Sequence, residues 1–296
     1  GRYVKTTLTA LRDMDEIKKL TETSLEDIHT AFEDAFSEYE VRMSMPKDDL
    51  AEMMATRDYD HQLSLGFFAD NTLSGFLLVG SRMRSARRVC YDIATGVVQS
   101  FQKMGVGDRL VTALINSLRT ENVEKFVLEV LTNNIAAQKL YERHGFVRTR
   151  KLCCFEISKN LIKKVSSVEY HRADAGLEFN TITEKDFNAF SPSWQNQLKS
   201  YENMADLYSV RTISHNGLLA GYGIVHKNSG KILQIGTCPH LLNQTSVGLI
   251  LCLLAESTRR EKLTFLNVEA GSKMEKILLL LNCSHVVDQY EMEYHF

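Results

Sequence analysis

The sequence predicts an α+β chain folded as two tandem domains, residues 1–160 and 161–296. Three observations carry the prediction. Short apolar runs bounded by turn residues alternate with longer stretches of helical periodicity, the mark of strands mixed with helices. The order of these elements in the first half returns in the second, as a duplication would produce. A charged stretch, Ser158-Lys159-Asn160-Leu161-Ile162-Lys163-Lys164, separates the two copies.

Composition bounds the function. The 296 residues are 44% hydrophobic and 24% charged, enough for two ordinary cores. A formal net charge of −2 gives no field that favours nucleic acid or an anionic membrane. No apolar run reaches the ~18–20 residues of a membrane helix, and Gly1-Arg2-Tyr3-Val4-Lys5 lacks the apolar segment of a secretory signal. These features predict a cytoplasmic protein without nucleic-acid or membrane partners. Cys90, Cys153, Cys154, Cys238, Cys252 and Cys283 show no zinc-like spacing, and His29 and His61 have no partner at ligand spacing. Free thiols in a reducing compartment are expected, and no metal. Cys153 and Cys154 alternate across a strand, so at most one should face the core.

Along the first half, Met14 to Phe36 carries apolar residues at helical spacing, predicting one or two helices. Pro46 with Lys47-Asp48-Asp49 starts another. Leu63–Ala69 and Leu73–Val79 flank Asp70-Asn71, a hairpin signal. Arg82, Arg84, Arg87 and Arg88 lie near the next turn, readable as a phosphate contact or as a solvated tip. Val89–Val98 is a third strand. A helix from Gly105 to Arg119 follows, with Val106, Leu110, Val111, Leu114, Ile115 and Leu118 on its apolar stripe. Phe126–Leu131 is a buried strand, Asn134–His144 a helix ended by Gly145, and Phe146–Ile157 a strand. The second half predicts a helical region at Thr183–Tyr201 and strands at Leu207–Ser214, Leu218–Val225 and Ile232–Cys238. A helix at Asn243–Arg259, a strand at Leu263–Glu269, a helix at Ser272–Leu281 and a strand at Val286–Tyr294 complete it.

The chemistry concentrates where the third strand ends. In Gln102-Lys103-Met104-Gly105-Val106-Gly107-Asp108, two glycines let the backbone approach an anion. The following helix start offers unpaired N–H groups and a partial positive charge. That is either a pyrophosphate cradle or a tight turn that caps the helix. It is neither the three-glycine dinucleotide pattern nor a P-loop. Downstream stands Asn134-Ile135-Ala136-Ala137-Gln138-Lys139-Leu140-Tyr141-Glu142-Arg143-His144-Gly145-Phe146.

Together these segments resemble the GNAT N-acetyltransferase superfamily over residues 3–158. Its Arg/Gln-x-x-Gly-x-Gly/Ala motif is met by Gln102, Gly105 and Gly107. Its Asn-x-x-Ala-x-x-Leu-Tyr-x-x-x-Gly-Phe motif is met by Asn134, Ala137, Leu140, Tyr141, Gly145 and Phe146. Thr95-Gly96-Val97 resembles a tandem bacterial subgroup. The resemblance implies a mostly antiparallel mixed sheet flanked by helices in each half, with strands splayed around acetyl-CoA. It implies pantetheine pairing by the backbone of Val97 and Val98, and pyrophosphate binding by the N–H groups of Lys103, Met104, Gly105, Val106, Gly107 and Asp108. Gln102 belongs to the same loop, Asn134 would bond the cofactor, and Tyr141 would protonate the departing thiolate.

Attack by an amine also needs its proton removed, and a tyrosine of reference pKa ~10 can serve a thiolate at the other end. Asp92 and Glu129 are both candidate bases, and each is also readable as a strand carboxylate. Glu33, Asp34, Glu38 and Glu40 beside Phe32, Phe36 and Tyr39 form either a rim for a cationic amine or a solvated helix end. His144 reads as a helix-end cation. The acceptor is predicted as a small-molecule or peptide amine, attacked directly in a ternary complex. The rival is a catalytically silent acyl-CoA-binding or regulatory protein.

The second half departs from the pattern. With Pro239 set against Gln99, Leu242 replaces Gln102, and Thr245 and Val247 replace the two glycines; Leu279 falls near the Tyr141 position. That copy is expected to keep the fold without a cofactor loop, as a structural partner or as a shaper of the substrate pocket. Trp194 within Ser191-Pro192-Ser193-Trp194-Gln195-Asn196 is core or pocket wall.

Overall fold

A computed structural model describes residues 15–38, 45–162, 168–173 and 184–296. Tyr39, Glu40, Lys163, Lys164 and Thr183, which entered the sequence reading, lie outside them. The chain packs as two compact units. One is Gly1–Met54, Tyr59–Phe126 and His295–Phe296; the other is Ala55–Asp58 and Val127–Tyr294. Both are mixed α and β, as the sequence predicts.

The first unit contains β1 (Glu16–Lys19), α1 (Leu25–Ala35), β2 (Leu65–Ala69), β3 (Thr72–Arg84), β4 (Arg87–Val97) and α3 (Val106–Leu118). Helix α2 (Lys47–Thr56) and strand β5 (Val123–Leu131) begin in it and end in the other unit. Strands β1 to β4 pair antiparallel in chain order. Residues 16–19 form a strand against β2 where helical spacing was expected; four residues are too few to separate the two periods. Ser24 then caps α1 by accepting the Asp27 N–H. Asp70 and Asn71 both have positive φ, the backbone of a tight hairpin that these side chains tolerate.

Helices cover both faces of these strands. Phe76 of β3 stacks with Phe32 of α1 at 5.9 Å. Its neighbour Gly75 faces Val106 and Leu110 of α3, because successive strand residues point to opposite sides. Gly96 of β4 lies under the Phe76 ring. A Cβ there would sit 2.5 Å from Phe76 Cζ, so only glycine fits without displacing the ring.

The second unit contains α4 (Ile135–Arg143), β6 (Val147–Ser158), β7 (Tyr170–Ala173), α5 (Glu184–Phe187), α6 (Leu198–Asn203), β8 (Tyr208–His215), β9 (Leu218–His226) and β10 (Lys231–Thr237). It continues with α7 (Gln244–Glu256), β11 (Lys262–Glu269), α8 (Lys273–Leu280) and β12 (Ser284–His295). Its strand order is β12-β6-β11-β10-β9-β8-β7. Strands β10 and β11 are parallel, whereas β6 is antiparallel to both neighbours.

The position of β6 is the main structural surprise. It closes the first repeat in sequence, yet it lies between β11 and β12, both from the second repeat. The boundary at 160 separates repeats along the chain, whereas the packing carries β6 across it. Arg150 of β6 helps fasten the exchange. Its Nε and Nη2 donate to the two Glu291 oxygens at 2.8 and 2.9 Å, and its Nη1 donates to Glu269 at 2.9 Å. Burial works against the charge, but the two carboxylates outweigh it and hold the Arg150 pKa above its ordinary value.

A central strand is covered on both faces, and here both Cys153 and Cys154 are buried, against the expectation of one. Cys153 joins an apolar core with Phe155, Ile250, Leu254, Leu278 and others. Cys154, on the opposite face, lies within 4.0 Å of Asn267 Oδ1. Trp194 is buried in this unit, and its Nε1 donates to Arg57 O at 3.1 Å.

Candidate active site

The loop after β4 is built to stay open. A single 3-10 turn, Gln99–Phe101, follows the strand. The Gln99 N–H donates to Asp34 Oδ1 at 2.6 Å, which ties the turn to the end of α1. Asp34 therefore serves the loop, and its neighbour Glu33 accepts the Met45 N–H at 2.8 Å. The Gln102 amide donates to Val97 O at 3.0 Å and Ala35 O at 3.4 Å. Gln102 thus shapes the loop with its side chain.

Lys103 (φ 61°) and Gly105 (φ 81°) adopt left-handed backbone. Gly105 is the N-cap of α3 and, as glycine, brings no side chain to cap it. No heavy atom lies within 4 Å of where a Gly105 Cβ would stand. The first-turn N–H groups of Val106, Gly107 and Asp108 consequently face an open approach, with the helix dipole behind them. Lys103 and the exposed Met104 complete the rim. A pyrophosphate fits this arrangement: a helix start whose N-cap glycine has no side chain to cap it, a positive helix end and clear space beside Gly105.

The upstream strand is already engaged locally. Val98 donates its N–H to Ser74 O at 3.0 Å and accepts the Phe101 N–H at 2.9 Å. Val97 pairs in register with Gly75. A bulge at Ile93 sets Leu78 against Ala94 but Val79 against Asp92. It turns Asp92 and Thr95 to one side, where Thr95 Oγ1 donates to Asp92 Oδ2 at 2.7 Å.

In the second unit, Asn134 caps α4 by accepting the Ala137 N–H at 3.1 Å. Gln138, buried behind it, donates to the carbonyls of Leu131 and Thr132 at 2.9 and 3.0 Å. Tyr141 is buried and meets Phe146 edge-on at 5.4 Å; Phe146 in turn packs on Tyr294 at 5.5 Å. His144 is the C-cap of the same helix. Glu129 of β5 accepts from Gln195 Nε2 at 3.4 Å, and Gln195 Oε1 accepts from Arg57 at 2.7 Å. The sequence singled out Glu129 but gave no sign that Gln195 and Arg57 join it. No local pattern could, because residues 57 and 195 are 138 positions apart.

The equivalent places in the second repeat are filled. Asn243 Oδ1 accepts the N–H groups of Thr245 and Ser246 at 3.0 Å each, and Ser246 Oγ accepts the Asn243 N–H at 3.2 Å. This capping box satisfies the start of α7 internally. Strands β10 and β11 are in register at Lys231–Thr264 and Ile232–Phe265. Beyond that point Asn196 joins them, donating to Leu233 O at 2.8 Å and Leu266 O at 3.4 Å. Gln234 Nε2 donates to Asn196 O at 2.6 Å, and Asn267 donates to Ser193 at 2.9 Å.

Residues 25–146 match the acetyltransferase (GNAT) family. The chain therefore carries a domain of that family. A [Ribosomal protein bS18]-alanine N-acetyltransferase from Haemophilus ducreyi is 45% identical over 47 residues, which are 16% of this chain and 32% of that protein. The chain thus spans about a third of the curated relative it matches. The similar solved structures extend over both repeats. A tandem GNAT protein from the clavulanic acid biosynthesis pathway aligns with 95% of this chain and 98% of its own at 11% identity, TM-score 0.70. A GCN5-related N-acetyltransferase from Sphaerobacter thermophilus covers 96% of both chains at 11% identity, TM-score 0.69. At such identity these establish a shared tandem fold.

Proposed function

We propose that the chain is an N-acetyltransferase that moves acetyl from acetyl-CoA to a primary amine, using one site carried by the repeat of residues 1–160. The observation that carries this reading is the uncapped start of α3 beneath Gly105, inside the segment that matches the GNAT family. Acetyl-CoA supplies the acetyl thioester. The N–H groups of Val106, Gly107 and Asp108 hold its pyrophosphate, with Lys103 and Met104 at the rim and Gln102 fixing the loop. Val97, Val98 and Asn134 position the remainder.

Asp92, held by Thr95, accepts the proton from the attacking amine. Tyr141 gives its phenolic proton to the departing thiolate. The proton balance then closes: one leaves the amine, one reaches the sulfur, and solvent restores both side chains. The acceptor is a small-molecule or peptide amine; the alanine N-acetyltransferase relative favours including peptide N-termini. Residues 161–296 act as a repeat without a cofactor site. No helix among the described residues is long and apolar enough to cross a membrane, in keeping with a proposed cytoplasmic location.

The test is CoA release against a panel of amines that includes peptides with N-terminal alanine. Tyr141→Phe should lower turnover by about 10²–10⁴ while acetyl-CoA affinity stays unchanged. Tight acetyl-CoA binding with no turnover on any amine would identify a silent binding protein instead.

A further inference from the structure

Sequence spacing offered no metal site, yet the fold gathers ligand-type side chains on β6, β12 and α8. Cys153, on β6, lies directly opposite Asp288 on β12. His285 is three residues before Asp288, which on a regular strand would put it on the other face. A bulge at Val286 breaks that alternation: His285 pairs with Phe155, Val287 with Cys154 and Asp288 with Cys153. His285, Asp288 and Cys153 therefore share one face, with one ligand atom of each lying within 4.8 Å of the others.

From this geometry we propose that Cys153, His285 and Asp288, with Glu275 of α8 as fourth donor, form a binding site for one zinc-type divalent cation. Glu275 Oε1 is 3.4 Å from Cys153 Sγ. Its other oxygen accepts the Gly271 N–H at 2.5 Å, which orients the carboxylate. Sulfur, imidazole and carboxylate together make the borderline donor set that zinc takes, and hard cations such as magnesium avoid. Tetrahedral bonds of about 2.0–2.3 Å set donor atoms about 3.3–3.7 Å apart, so His285 Nε2 and Asp288 Oδ1 open from 2.6 Å as the ion enters between them, while donors up to 4.8 Å apart draw in.

The second ring of contacts is also present. Lys151 Nζ donates to Asp288 Oδ2 at 2.6 Å and leaves Oδ1 toward His285. His285 Nε2 lies 2.6 Å from Asp288 Oδ1, a separation that holds one proton between them. A cation entering there takes the place of that proton: the imidazole keeps a hydrogen on Nδ1 and coordinates through Nε2. The Cys153 thiol, now a donor to Glu275, releases its proton to solvent and binds as thiolate. The site then sets one thiolate and two carboxylates against the ion and Lys151, which brings it to neutrality.

With four protein ligands the site is closed, hence structural. It ties β6 of the first repeat to β12 and α8 of the second, at the exchange that distinguishes this fold. The His285 side chain is 44% exposed, which supplies an entry path.

The experiment uses the full chain, reduced and stripped with chelator, then titrated with Co²⁺ as spectroscopic probe. One equivalent should produce a thiolate-to-cobalt charge-transfer band with tetrahedral visible bands, and one equivalent of Zn²⁺ should bleach both. Cys153→Ser should abolish the band, whereas Cys154→Ser, on the opposite face of the strand, should keep it. If Cys153→Ser does not fold, His285→Ala provides the second arm. It alters an exposed ring and should weaken Co²⁺ binding by about tenfold or more with the circular dichroism of the native chain. Absence of a charge-transfer band at stoichiometric metal overturns the site. So does a band that survives Cys153→Ser, or unchanged affinity in His285→Ala.

Discussion

The starts of α3 and α7 hold equivalent places in the two repeats and have opposite chemistry. At α3 the cap residue is Gly105, in left-handed backbone, with no side chain of its own to cap the first turn. At α7 the cap is Asn243 in extended backbone, and its side chain with that of Ser246 forms a full capping box. One helix start has no N-cap side chain and the other is satisfied from within. In the second repeat Asn196 also bonds to both β10 and β11 beyond their last registered pair. If the first repeat alone holds the ligand, as proposed, a repeat loses such a site by more than the loss of glycines. The vacated donors and acceptors must be met by other groups, because unmet ones in a buried place cost about 1–3 kcal/mol each.

The largest expected effect comes from breaking what holds the exchanged strand. Arg150→Ala leaves Glu291, 9% exposed at its side chain, as a buried carboxylate without its bidentate partner. A loss of about 3–5 kcal/mol is expected, read by urea unfolding. A loss below 1 kcal/mol would show that the ladders of β6 alone hold the exchange. Asn196→Ala comes next. It strips the buried Leu233 carbonyl and the half-buried Leu266 carbonyl of a donor and should cost about 1–3 kcal/mol, with a looser β10–β11 junction visible as faster amide exchange in Leu233–Ile235.

Much of this contrast was legible in the sequence, and the reasons differ by residue. Thr245 and Val247 in place of Gly105 and Gly107 marked the second copy as lacking the loop, because glycine's conformational freedom is a local property. The strands and helices of each half were largely readable from periodicity, apart from residues 16–19 and β7, Tyr170–Ala173, which the reading did not include. What could not be read was non-local. The exchange of β6 depends on which strand wins a place beside β11, a pairing between residues far apart in the chain that no local pattern encodes. Asn196 as a bridge and Gln195 beside Glu129 depend on contacts across more than 30 residues of chain. Cys153, His285 and Asp288 escaped notice because 132 positions separate the first two, and because a bulge, which carries no plain sequence signature, sets their shared face.

Substitutions in the open helix start sharpen the comparison further. Gly105→Val forces a branched side chain into left-handed backbone, at about 1–2 kcal/mol, and places it where the anion approaches. Acetyl-CoA affinity should fall about tenfold by calorimetry, while the chain still folds with its unfolding free energy lowered by about 1–2 kcal/mol. Unchanged affinity would remove the α3 start from the proposed site.

The smallest effect is expected at the sealed helix, and it separates two causes of the second repeat's silence. Asn243→Ala removes the acceptor for two N–H groups and should cost about 1 kcal/mol, since water can still reach exposed donors at Thr245. If the capping box alone kept anions out, opening it would raise acetyl-CoA stoichiometry above one per chain. Thr245 and Val247 still deny the backbone its close approach, and Asn196 still joins the strands behind, so stoichiometry should remain one. Adding Thr245→Gly and Val247→Gly to Asn243→Ala should leave it at one as well, because Asn196 persists. A second binding event in that triple variant would mean that the helix start, and not the bridged strands, decides which repeat can hold the ligand.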